Sequence, residues 1–183
     1  MEMLTRVQSN PHARTWPKVA LWALGAIVTL SVGFTAYVVH QFRSYDLMTT
    51  FAYMETGGPL SPLFRYNLYT LHPTPSEVLE LNRRAGAAIV LGMKDKGEQE
   101  ALLSHLIAAG VDINARDERS SFTALHMAVS SGPSDVSMLL AHGARADLID
   151  ARGATPLDGA LILQQRFFSP ERAEAIKLLQ AAQ

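Results

Sequence analysis

The chain has no cysteine among its 183 residues. That excludes a disulfide framework, a thiolate metal site and a catalytic thiol. An excess of either charge is missing too: 16 Lys and Arg stand against 17 Asp and Glu, for a net charge of −1. No basic patch is visible, so nucleic acid is not an expected partner. Six histidines are present, but no two share the i, i+4 spacing of a helical metal site, and no H-E-x-x-H occurs. The serines sit in no G-x-S-x-G elbow. A phosphate loop and a dinucleotide fingerprint are both absent. No nucleophile, base and stabiliser can be nominated together, so the expectation is no enzyme, no cofactor and no metal.

What the chain does have is a long apolar run. Val19 to Val39 is 21 residues without a charge. As a helix it spans about 31 Å, close to the ~30 Å of a bilayer core. The hydroxyls of Thr29, Ser31 and Thr35 can bond to carbonyls one turn earlier. The run is too long for a signal peptide, and its exit has no small-x-small cleavage site. Trp16, Trp22 and Tyr37 lie near its ends, where interface aromatics collect. Arg6, Arg14 and Lys18 precede it, while only Arg43 follows before Asp46 and Glu55. The expectation is a single-pass anchor with the N-terminus cytoplasmic and the remainder across the membrane. Gly25, Thr29 and Gly33 recur at four-residue steps, a spacing that suits helix pairing and a homodimer.

The second half repeats itself. GVDINARD begins at Gly110 and GARADLID at Gly143, 33 residues later, and Asp117 and Asp150 keep the same interval. TALHMAV follows from Thr123 and TPLDGAL from Thr155. Leucine-rich helix ends precede each glycine: Leu102, Leu103, Leu106 and Ile107 in one case, Val136, Leu139 and Leu140 in the other. Ala175, Ile176, Leu178 and Leu179 repeat the theme.

This pattern resembles the ankyrin repeat, a β-turn and two antiparallel helices with a T-P-L-H-x-A phrase. The resemblance is clear over about residues 98–183 and weak over 75–97. It implies that Thr123 and Thr155 start first helices, with Pro156 in the first turn. Leu125 and Ala128, like Leu157 and Ala160, then face the neighbouring unit. Gly110, Gly132 and Gly143 fall where helices end. A degenerate unit would put its first helix at Ala88–Lys96, Gly97 between helices, and its second helix at Gln99–Ala108. Ser76–Arg84 would close the stack, with Val78, Leu79 and Leu81 inward. In the last unit Gln164 replaces a glycine, and Phe167-Phe168 is either a second contact point for a partner or, the favoured reading, the seal of that unit. His126 is the histidine of the T-x-L-H phrase and bonds turn backbone. His105 takes a core leucine's place, and His142 faces terminal carbonyls.

The expected fold is all-α: a transmembrane helix, then an α-solenoid of about three ankyrin units. Residues 1–18 form a cytoplasmic tail, 19–39 the anchor, 40–74 an aromatic-rich juxtamembrane segment, and 75–183 the repeat domain. Part of the 40–74 segment should pack on the first repeat helix, with its start along the membrane. The resemblance implies protein binding through the turn tips and the exposed side of the first helices. The candidates are Asp117, Glu118, Arg119 and Phe122 on the first tip, Met127, Ser130 and Ser131 on its helix, and Arg152 on the second tip. Phe122 either projects as an anchor for a partner or folds back into the stack. The architecture is similar to bacterial inner-membrane, periplasm-facing immunity proteins, which neutralise secreted antibacterial toxins such as type VI lipase effectors. The alternative is a scaffold or adaptor for a native periplasmic or envelope protein.

Overall fold

The computed structural model describes residues 16–43 and 46–183; in its first helix the described side chains are those of residues 20, 22–34, 37 and 40. Every regular element among these residues is helical. The order is α1 (Trp16–Arg43), α2 (Leu47–Glu55), α3 (Ser61–Leu71), α4 (Pro75–Arg83), a 3₁₀ turn (Gly86–Val90), α5 (Lys96–Ala108), α6 (Ala124–Ser131), α7 (Pro133–Ala141), α8 (Pro156–Arg166) and α9 (Pro170–Ala181).

The membrane-crossing helix of the sequence reading does not hold. Among the described residues no helix is long and apolar enough to cross a membrane. Val19 and Val39, the ends assigned to the span, lie outside the described side chains, as do Trp16, Lys18 and Arg43; Arg6 and Arg14 lie outside the described residues altogether. The inner-membrane location, the cytoplasmic N-terminus and the periplasmic repeats rested on that span and fall with it, as does pairing of Gly25, Thr29 and Gly33 in a bilayer. The local chemistry of the stretch is as the hydroxyls suggest: Thr29 Oγ1 donates to the carbonyls of Gly25 and Ala26, and Ser31 Oγ to that of Val28.

Helices start where side chains accept the free N–H groups of a first turn. Thr74, Thr123 and Thr155 each cap a helix, and their N3 partners Glu77, His126 and Asp158 reach back to the cap's own N–H. Such a cap is worth about 1 kcal/mol. Helix ends at Gly110 and Gly143 need a positive φ, 103° and 90°, which glycine adopts at little cost. Glu77 ties the chain together further. Its Oε1 accepts the Leu47 N–H that opens α2, and its Oε2 accepts the Thr74 N–H and the Nδ1 of buried His72.

α6 pairs with α7 and α8 with α9; across the units, α6 lies on α8 and α7 on α9. Ala128 and Ala160 are fully buried between the first helices, and Leu125, Val136, Leu139 and Leu179 fill the layer beneath. The apolar core is continuous from Leu47 to Leu179. α2 and α3 join it through Met54, Phe64 and Leu68. Two inward assignments fail: Leu79 is 66% exposed, and Phe167 and Phe168 are 69% and 80% exposed, so the phenylalanines do not seal the last unit.

The degenerate unit differs most from expectation. No α-helix spans Ala88–Lys96: the 3₁₀ turn, which ends at Val90, packs on α5 and α6 where a first helix would, and α5 begins at Lys96 with Gly97 inside it. Close approach is one reason. A Cβ on Gly86 would clash with the side chain and carbonyl of Leu81, so the 3₁₀ turn starts hard against the end of α4. The other reason is Asp135, fully buried at the start of α7. Its Oδ2 accepts the Gly92 N–H at 2.8 Å, and its Oδ1 accepts Lys96 Nζ and Gln99 Nε2 at 2.9 Å each. Gln99 Nε2 also donates to the Val90 carbonyl at 2.8 Å. One carboxylate therefore holds the 3₁₀ turn and α5 against α7.

Two asparagines link the turns. Asn82 donates to the Gly110 carbonyl and accepts from the Asp112 N–H; Asn114 does the same with Gly143 and Arg145. Each amide satisfies one donor and one acceptor of the following unit, fixing the offset between units.

Burial pushes the Asp135 carboxyl up, but the bonds from Lys96, Gly92 and Gln99 outweigh it and hold it below the usual carboxylate range. Asp135→Ala should cost about 2–3 kcal/mol, because it strands buried donors. Urea unfolding measures the loss. The wild-type advantage should be present above about pH 4 and vanish as pH falls through the lower folded value; an advantage that grows with acid contradicts the assignment.

Candidate functional site

The site begins with the two turn tips. Asp117 Oδ1 accepts the N–H groups of Arg119 and Ser120 and the Ser120 hydroxyl, and its carboxyl is held below the usual range mainly by the Ser120 N–H. Asp150 does more with less exposure. Oδ1 accepts the Arg152 and Ala154 N–H groups at 2.7 and 2.9 Å, and Oδ2 receives the Arg152 guanidinium at 2.9 and 3.1 Å. The Ala154 N–H is the chief cause that takes its pKa down to about 2. The first tip has one more residue before its threonine, and Ser121 absorbs it with a φ of 57°. The Ala151 N–H then reaches the Ser120 carbonyl at 2.9 Å, joining tip to tip.

A stack of three side chains stands between the tips. The Phe122 ring lies parallel to the His126 imidazole, centroids 5.3 Å apart, and the Arg152 guanidinium sits 5.7 Å from the Phe122 centroid. Phe122 is half-buried. It neither projects freely nor enters the core; it forms the wall of a groove. His126 Nδ1 accepts from the Thr123 N–H at 3.2 Å, so the ring proton belongs on Nε2, which donates to the Ala154 carbonyl at 3.1 Å. Burial holds its pKa below the ordinary histidine value.

The groove lies between α6 and α8 and encloses about 650 Å³. Met127 and Ser130 line it from α6, and Gly159, Ile162 and Arg166 from α8. Of the sequence candidates, Phe122, Met127, Ser130 and Arg152 come together here. Asp117, Glu118 and Arg119 do not; they line a separate cleft of about 380 Å³ with Glu80, Arg83 and Arg84. That cleft balances three acids against three arginines. Arg83 pairs with Glu118 at 3.7 Å and Arg84 with Glu80 at 2.7 Å. Ser131 is exposed at the end of α6 and lines neither cavity.

Sequence reasoning missed the α8 wall. The signal was available: Thr123 to Thr155 is an offset of 32, which carries Met127 onto Gly159 and Ser130 onto Ile162. Gly159 is informative. A Cβ there would meet nothing within 4 Å, so no packing constraint demands glycine, and glycine in a helix interior costs about 1 kcal/mol against alanine. Its effect is to leave the groove floor open. Among the described residues no group of three or more His, Asp or Glu could hold a metal ion.

Comparison with known proteins agrees with this architecture. A family model described as ankyrin repeats in many copies matches residues 93–140. The chain is also similar to the nuclear factor NF-kappa-B p105 subunit of Gallus gallus, 34% identical over 93 residues. That match takes in 50% of this chain and 9% of the chicken protein. The matches support an ankyrin-repeat domain, a non-catalytic scaffolding module, over the residues they cover. They do not support the immunity-protein architecture. Neither match involves a toxin or an effector, and the membrane anchor that reading required is not found among the described residues.

At pH 7 the ¹⁵N spectrum of His126 should show the neutral Nε2–H tautomer, with its midpoint below about 6.5. A depressed histidine value means the stability it confers is present above about pH 6.5 and is lost as pH falls through the folded value. A doubly protonated ring at pH 7 would contradict the bonding described.

Proposed function

We propose that the chain is a protein-binding module whose working surface is the groove between α6 and α8, with the paired turn tips as its rim. The groove of about 650 Å³ carries this reading. It is large enough for one or two partner side chains. Its floor is open at Gly159, where a partner can approach the helix backbone. Its walls are stiff: the tips are bonded to each other and to the ends of α6 and α8, so little ordering cost falls on binding. Phe122, Met127, Ser130 and Arg152 are its contact residues from the first tip, α6 and the second tip. Asp117, Glu118 and Arg119 sit on the outer side of the first tip as a secondary contact, their charges already balanced within the chain. Ser131 lies at the margin.

A photoreactive side chain in place of Met127 should crosslink the partner from the extract of cells that express this chain. The same group at Ser137, exposed on α7, should not. Gly159→Trp should abolish capture while leaving the helical signal and thermal midpoint close to wild type, and Gly159→Ala should retain capture and add about 0.5–1 kcal/mol of stability. Crosslinking from Ser137 alone, or undiminished capture by Gly159→Trp, would place the working surface elsewhere.

A further inference from the structure

We infer that the occupant of this groove is a peptide segment of another protein in which a bulky apolar side chain is flanked by carboxylates; the inference rests on the docking role proposed for the groove. The floor selects the apolar part. Ile162 is 50% exposed, Phe167 is 69% exposed, and both line the groove together with Met127 and the Phe122 ring. Met is adaptable in shape, and an aromatic lip suits a flat or branched aliphatic anchor.

The rim selects the charge. Two arginines line the groove, Arg152 and Arg166, and Asp150 is the acid that lines it. Asp150 neutralises Arg152, whose guanidinium it holds at 2.9 and 3.1 Å, and Arg166 is left as the unpaired charge lining the groove. The Asp150 side chain is 1% exposed, and both its oxygens are occupied by N–H groups of its own tip. The Arg152 side chain is 76% exposed. Arg166 is exposed in the last turn of α8 and makes no ion pair among the described residues. His126 is held neutral by the bond its Nδ1 accepts from Thr123 and adds no charge. A carboxylate arriving at the rim therefore meets the unpaired Arg166 guanidinium, whose planar fork can take it bidentately, beside the remaining N–H donors of the paired Arg152. A basic segment would bring like charge against Arg166.

The test is an array of synthetic peptides, about twelve residues long so as to span the groove extended, with acidic, basic and apolar content varied independently. It is probed with the full chain. Binders should be rich in Asp or Glu beside Leu, Ile or Phe. Arg166→Glu should weaken them by roughly tenfold or more, Arg166→Gln by less, and added salt should weaken all of them. Circular dichroism on both variants checks that α8 stays folded. Binders without an acidic preference that Gly159→Trp still blocks would overturn the acidic specificity and keep the groove as the docking site. Peptide binding untouched by Gly159→Trp would overturn the docking site itself. No peptide binding at all would overturn the peptide occupant, and the Met127 crosslink then decides whether a folded protein surface uses the groove. A single-stranded oligonucleotide binding at the groove in place of peptides would likewise overturn it.

Discussion

A two-helix unit of about 33 residues exposes more apolar surface than it can cover alone. The chain answers that constraint by laying unit on unit. Ala128 and Ala160 bring the first helices close, and the leucines of α5, α7 and α9 fill the space that closeness leaves. Everything else follows from the stacking. The core is one cluster from Leu47 to Leu179, and removing any layer would expose its neighbour. The α2–α3 hairpin serves the same need at one end, where Phe64 and Leu68 cover a surface the repeats leave open.

Apolar stacking sets proximity but not register. Polar groups set the register, each buried or half-buried and each satisfied across a unit boundary. Asn82 and Asn114 bond the turns of the following units, and His126 bonds the Ala154 carbonyl of the next tip. Asp135 does this in the core, where an unmet donor is most costly. It receives Gly92, Lys96 and Gln99, so a unit that keeps only a 3₁₀ turn in place of its first helix still docks in a defined position.

The groove is a by-product of that register. Tips that are tied to one another project beyond the first helices and leave a concave strip between them. At its centre the chain places small or flexible side chains, Gly159 and Met127, and at its edge the Phe122 ring between His126 and Arg152. The Asp150 carboxylate is spent on its own tip and on Arg152, which leaves Arg166 as the unpaired charge at the groove. The electrostatic character of the surface is thus decided by hydrogen bonds inside the turn, and a count of charged residues does not show it.

The repeat was legible in the sequence because its signals are local. Capping threonines, helix-ending glycines and leucines at helical spacing state their own conformations, and the 33-residue interval between Gly110 and Gly143 says that the conformations recur. The apolar run from Val19 to Val39 was equally legible, yet run length reports hydropathy alone and did not establish a membrane-crossing helix among the described residues. What only the tertiary structure decided are the contacts between residues distant in the chain. Asp135 reaches Gly92 and Lys96 across about 40 positions, Phe122 meets Arg152, and Leu79, Phe167 and Phe168 turn outward although hydropathy alone puts them in. Capping and periodicity depend on the nearest few residues, whereas burial and charge at a groove depend on which distant surfaces the stack brings face to face.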